Sequence, residues 1–162
     1  MNLILIHGDR SGCAKVHGVP PMDLRRLHQE HRAIVRIASD LIGVSREVRD
    51  RDDANDARFL IEQLDRVLGL HLELEDRALY PALLGSSDAR VVEIAKDCAE
   101  DMGGLADAWC DYQRQWPAEM IYRNADRFAA VSRVLMEAVA QRVDREEREL
   151  YPLAECLETR AA

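Results

Sequence analysis

What the 162-residue chain lacks narrows its class before any motif is considered. Aromatic residues make up only 5%, and the five prolines sit at 20, 21, 81, 117 and 152. Long Pro-free runs are left over 22–80, 82–116 and 118–151, rich in Ala, Leu, Arg, Glu and Asp and poor in strand formers. No apolar run approaches the roughly 20 residues that span a bilayer. Cys13, Cys98, Cys110 and Cys156 show no CxxC spacing, which argues for reduced thiols rather than a disulfide framework or zinc finger. Basic residues number 22 against 30 acidic, a net charge of −8, so the basic stripe that phosphate contacts require is missing and nucleic acid is not an expected partner. A Gly-rich phosphate loop and a Ser-His-Asp order are absent too, leaving a hydrolase or nucleotide enzyme unsupported. Met1–Ile6 is too short for a signal segment and has no basic stretch before it, so the expected location is cytoplasmic, away from the membrane.

What is present reads as one folded domain. The hydrophobic fraction is 48% with 32% charged residues, and the length suits a single core. Apolar positions recur at three-and-four spacing in four stripes. The first holds Leu24, Leu27, His31, Ile34, Ala38, Leu41 and Val48, and the second Leu60, Leu64, Val67, His71, Leu74 and Ala78. The third holds Val91, Ala95, Cys98, Met102, Leu105, Trp109 and Tyr112, and the fourth Phe128, Val131, Leu135, Ala138, Arg142 and Glu146. With a polar turn at 50–56, a Gly-Ser-Ser stop and cap at 85–87 and a break over 116–124, the spacing predicts helices at about 22–49, 55–83, 87–115 and 125–157. Short loops between long helices make neighbours antiparallel. The expected fold is all-α, an up-down antiparallel four-helix bundle over residues 20–162. Residues 1–19 do not fit the pattern and are expected to be a flexible arm, or an extension from an upstream start codon.

A repeat lies inside the bundle. His71-Leu-Glu-Leu-Glu75-Asp-Arg77-Ala-Leu79-Tyr80-Pro81 aligns with Arg142-Val-Asp-Arg-Glu146-Glu-Arg148-Glu-Leu150-Tyr151-Pro152 at an offset of 71, with five identities. The same offset carries Leu24 to Ala95, Leu27 to Cys98, Ile34 to Leu105 and Ala38 to Trp109. Core position maps onto core position, so the chain reads as two helical hairpins related by a pseudo-two-fold. The first hairpin offers His31, His71 and Glu75 to the centre. The second offers Met102, Arg142 and Glu146.

His71 and Glu75, four residues apart, project from one face of the second helix, and that face is apolar. Such groups are costly in a core unless paired or bound to a metal. With His31 and Glu146 on the matching stripes of their own helices, two imidazoles and two carboxylates converge in a set suited to iron, manganese or zinc. Polar residues satisfying one another without an ion are the plainer alternative.

Leu27-His-Gln-Glu-His31-Arg, the His71–Pro81 segment and Glu146-Glu-Arg-Glu-Leu-Tyr-Pro152 together resemble the hemerythrin, or HHE cation-binding, family over about residues 22–157. The resemblance implies a four-helix bundle around a non-haem di-iron centre that binds or senses oxygen, redox signals, nitric oxide or iron. It makes His31, His71 and Glu75 ligands of one iron, with Glu75 bridging, and Glu146 the second bridging carboxylate. The chain departs from that pattern at the second iron. Asp101-Met102 stand where the third-helix histidine belongs, and Arg142 replaces the fourth-helix histidine.

Three states follow. Arg142 substitutes its guanidinium for the second ion, pairing with Glu75 or Glu146, and one metal is held by His31, His71, Glu75 and Glu146. Alternatively, Arg142 snorkels to the bundle end and the site is vestigial. In the third, two ions bind through other ligands. His28, Asp101, Met102 and Arg142 are candidate outer or substitute positions. Gly103-Gly104 opens a small pocket, kinks its helix or allows close helix contact. Tyr80 and Tyr151 pack at helix ends or contact the site from outside it. The expected function is metal binding, most simply of iron, that senses or binds dioxygen, a redox signal or the metal itself. Enzymatic turnover has no dedicated residue. A metal-free bundle acting as a signalling or interaction module is the alternative, with a homodimer or partner protein docked on exposed helix faces.

Ferritin-like di-iron bundles, the competing architecture, use Glu-x-x-His pairs. The residues three before the five histidines are Ile4, Ala14, Arg25, His28 and Leu68, so that class is excluded.

Overall fold

A computed structural model describes residues 23–161, with side chains except at 101–103 and 158–161. The N-terminal arm expected over 1–19 and the side chains of Asp101, Met102 and Gly103 lie outside the described residues. The elements are α1 (Leu24–Ser45), α2 (Arg51–Leu74), a π turn (Glu75–Leu79), α3 (Tyr80–Leu84), α4 (Ala89–Gln115), α5 (Ala118–Arg123), α6 (Ala125–Arg145), a second π turn (Glu146–Leu150) and α7 (Tyr151–Ala161). Among the described residues there is no strand, as expected of an all-α chain. Each π turn joins its flanking helices into one rod, so four rods form the bundle. α1 packs against both α2 and α6, and α4 completes the bundle against α3 and the second π turn.

Several boundaries differ from expectation for local reasons. α2 begins at Arg51, inside the stretch read as a turn, because Asp50 caps it by accepting from the backbone N–H groups of Asp52 and Asp53. Asp52 and Asp53 then lie in the first turn, where negative charge suits the helix dipole. α1 correspondingly stops at Ser45 rather than near 49. The cap of α4 is Asp88, which accepts from the Arg90 N–H, rather than a serine; Ser86 Oγ instead accepts from the Asp88 N–H. The break over 116–124 contains a helix of its own, α5, which seats Ile121 in the core against α2. α6 turns a slightly different face inward than predicted. Ser132, Met136 and Val139 are buried, whereas Val131 and Leu135 are only partly so.

The continuous second and fourth helices expected from periodicity are each interrupted by a π turn, at the repeat offset of 71. The cause is the proline six residues after each glutamate. Pro81 and Pro152 lack an N–H, and their rings would crowd the carbonyl four residues back. The preceding residue therefore bonds one position further, Tyr80 N–H to Glu75 O and Tyr151 N–H to Glu146 O. Gly104, by contrast, leaves α4 unbroken and meets no neighbour within 4 Å of where a Cβ would stand, so no close helix contact requires it.

The core falls into two apolar clusters. One gathers Ile34, Leu41, Ile61, Leu64, Trp116, Ile121, Phe128 and Met136. The other gathers Leu27, Leu79, Leu83, Ala95, Cys98, Leu150 and Ala154. A polar layer of His31, His71, Glu75, Arg142 and Glu146 lies among these residues, each of its members buried.

Candidate metal centre

The sequence-predicted residues His31, His71, Glu75 and Glu146 are brought together, none more than 2% exposed. Each offers one ligand-type atom, and those atoms all lie within 4.8 Å of one another. His31 Nε2 is 3.2 Å from His71 Nε2 and 3.1 Å from Glu146 Oε2. His71 Nε2 is 3.5 Å from Glu75 Oε1. Metal bonds to nitrogen or oxygen of about 2.0–2.2 Å, opened by 90–109°, set neighbouring donor atoms about 3.0–3.5 Å apart. These three pairs have the edge lengths of one coordination shell.

Proton counting makes the same point. His31 Nδ1 is 2.8 Å from Glu147 Oε1, and a proton placed there leaves Nε2 with only a lone pair. His71 Nδ1 lies 3.4 Å from Glu30 Oε2, so its Nε2 also turns inward, although neither of those outer atoms completes a hydrogen bond. With the His71 proton on Nδ1 as well, two imidazole lone pairs face two carboxylates in a water-poor interior, an arrangement that calls for a cation.

Titration behaviour reflects this crowding. Burial, reinforced by His31, pushes His71 down to about 4. Burial and then Glu146 push the Glu75 carboxyl well above the usual carboxylate range, against the bond from Tyr151. Glu75 Oε2 is buried without a partner.

Arg142 does not snorkel. It is 8% exposed, and its Nε and Nη2 each lie 2.7 Å from Glu146 Oε1. Nη2 also donates to Tyr80 Oη at 2.7 Å. Of the two carboxylates it was expected to meet, Arg142 takes Glu146 and makes no hydrogen bond to Glu75. Its Nη1 has no partner. His28 sits outside the cluster, partly exposed, with Nδ1 2.6 Å from Glu147 Oε2. Glu147 thus bridges His28 and His31, and these two contacts outweigh its burial to hold its carboxyl below the usual range.

The sequence profile described as "Hemerythrin HHE cation binding domain" matches residues 22–154. The chain belongs to the hemerythrin HHE cation-binding family. No curated protein and no solved structure matches it significantly. Within this hemerythrin domain, Glu147 and Glu30, the carboxylates behind the two histidines, were not anticipated. A signal was present for both, since each adjoins a predicted site residue, Glu146 or His31, in the chain. Tyr151 was anticipated only as an outer contact. The π turn brings it round: five residues on in an α-helix lies about 140° away at about 100° per residue, whereas an i→i+5 bond returns that residue over the glutamate.

Proposed function

We propose that this hemerythrin domain binds a single transition-metal ion, most simply iron, through His31, His71, Glu75 and Glu146. The observation carrying this reading is the convergence of two inward-facing imidazole nitrogens and two buried carboxylates at coordination spacing. Two imidazoles with oxygen donors suit non-haem iron, with manganese and zinc as alternatives. Arg142 stands in for a second ion: a fixed positive charge already holds Glu146 Oε1, and a second metal there would have to displace it.

Bound iron would supply a redox couple and an exchangeable coordination position. The chain's own residues do the rest. Glu147 orients the His31 imidazole, Glu30 stands as a charge behind His71, the two apolar clusters exclude water, and a shallow groove lined by His31, Val35, Val143 and Glu147 gives small molecules an approach. The role we infer is sensing or binding of dioxygen, a redox signal or the metal itself, rather than turnover. Among the described residues no helix is long and apolar enough to cross a membrane.

A metal-free interaction module is the second reading, favoured by the buried Arg142–Glu146–Tyr80 network, which neutralises one carboxylate without any ion. Metal analysis of untagged protein separates the two. One iron per chain, lost in His71→Ala and Glu146→Ala, supports the first reading, and protein that takes up no metal under any condition supports the second.

A further inference from the structure

Tyr151 has a place in the cluster that packing alone does not require. It is 1% exposed, and its ring lies against the His31 imidazole with centroids 4.9 Å apart and planes 3° from parallel. This stacking aims the hydroxyl inward. Tyr151 Oη is 3.0 Å from His31 Nε2 and 3.1 Å from Glu75 Oε1. Those spacings match the ones separating the His and Glu donor atoms from each other.

A phenol has one proton to donate, so it serves either Glu75 or His31. With the His31 proton on Nδ1 toward Glu147 and Glu75 ionised, as a metal ligand must be, the contact left over sets lone pair against lone pair at hydrogen-bond distance. A cation among the three atoms removes that conflict.

The repeat supplies a second observation. Tyr80 is the counterpart of Tyr151, as Arg142 is of His71. Tyr80 Oη takes the Arg142 guanidinium at 2.7 Å. Both tyrosines are set by the same device, the N–H bonded five residues back to Glu75 or Glu146. Each tyrosine reaches across to the other hairpin: Tyr80 of the first turns its oxygen onto the built-in cation of the second, and Tyr151 of the second turns its oxygen into the donor cluster of the first.

We propose that Tyr151 is a fifth ligand, its phenolate oxygen binding the same ion as His31, His71, Glu75 and Glu146. This inference rests on the metal-binding function proposed above. On coordination the O–H bond breaks, the oxygen keeps the electron pair for the ion, and the proton leaves to solvent. The ion's charge offsets the nearby carboxylates, which otherwise favour the neutral phenol.

The test loads the full chain with iron(II), oxidises it with ferricyanide and removes the excess. Metal analysis, visible absorption and resonance Raman spectra are then recorded for wild type, Tyr80→Phe and Tyr151→Phe. Wild type and Tyr80→Phe are expected to show a phenolate-to-iron(III) charge-transfer band with tyrosinate vibrations, and Tyr151→Phe to lose both. Should Tyr151→Phe fail to fold, the tyrosinate vibrations of wild type and their persistence in Tyr80→Phe still identify the ligand. Iron-loaded wild type without the band, or a folded Tyr151→Phe that keeps it, overturns the fifth ligand alone. Wild type that takes up no iron overturns the metal-binding function as well.

Discussion

In the first hairpin His31, His71 and Glu75 are buried at the bundle centre; in the second, 71 positions after His71 and Glu75, Arg142 and Glu146 are. The frame around them is duplicated faithfully, down to the π turn after each glutamate and the tyrosine and proline that follow. The charge inside the frame is not. In the first half two inward-facing nitrogens and a carboxyl held well above its usual range are left without a cation of their own. In the second, a guanidinium bonded to Glu146 and Tyr80 fills the equivalent place. One architecture thus serves two solutions to the same problem of buried negative charge. A built-in cation completes the second half, and on the function proposed above the first half takes one from outside.

The sharpest way to break this comparison is to treat the two carboxylates alike. In metal-free protein, Glu146→Gln strands Arg142 in the core and should cost roughly 3–5 kcal/mol in denaturant unfolding. Glu75→Gln replaces a carboxyl that burial already favours in its neutral form, and should change metal-free stability far less. Both should abolish metal binding, and equal stability losses would mean Arg142 does not distinguish the halves. Next in size is the effect on stoichiometry. Arg142→His removes the fixed cation and should raise the metal content above one per chain, further when combined with Met102→His; a variant that merely unfolds would refute the substitution of guanidinium for metal. A smaller effect is expected at Glu147. Glu147→Gln weakens the acceptor behind His31 and should lower metal affinity by about 10- to 100-fold in competition titrations. Comparable in size, but on stability alone, is Tyr80→Phe, which removes one hydrogen bond to a charged group and should cost about 1.5–3 kcal/mol while leaving metal content unchanged.

The bundle was readable because its signals are periodic and redundant. Leu27, His31, Ile34, Ala38 and Leu41 mark the inner face of α1 several times over, and each is buried. The four site residues stood out because His and Glu on an apolar stripe conflict with burial unless something balances them. What escaped depended on departures from regular helix. Tyr151 lies five residues beyond Glu146, a spacing that regular helical geometry puts on the far side, and only the π turn at the following proline brings it back. Glu147 escaped for another reason. It stands beside a residue already assigned inward, and its acceptor role depends on how α1 presents His28 and His31 to it across the bundle. The choice of Glu146 over Glu75 by Arg142 was likewise open until the rods were placed side by side.

The claim that one half of this bundle carries its own cation while the other must acquire one is tested most directly by counting metal. Full-length protein saturated with iron(II) under anaerobic conditions and freed of excess should hold one iron per chain. Two irons per chain, or none, would contradict it.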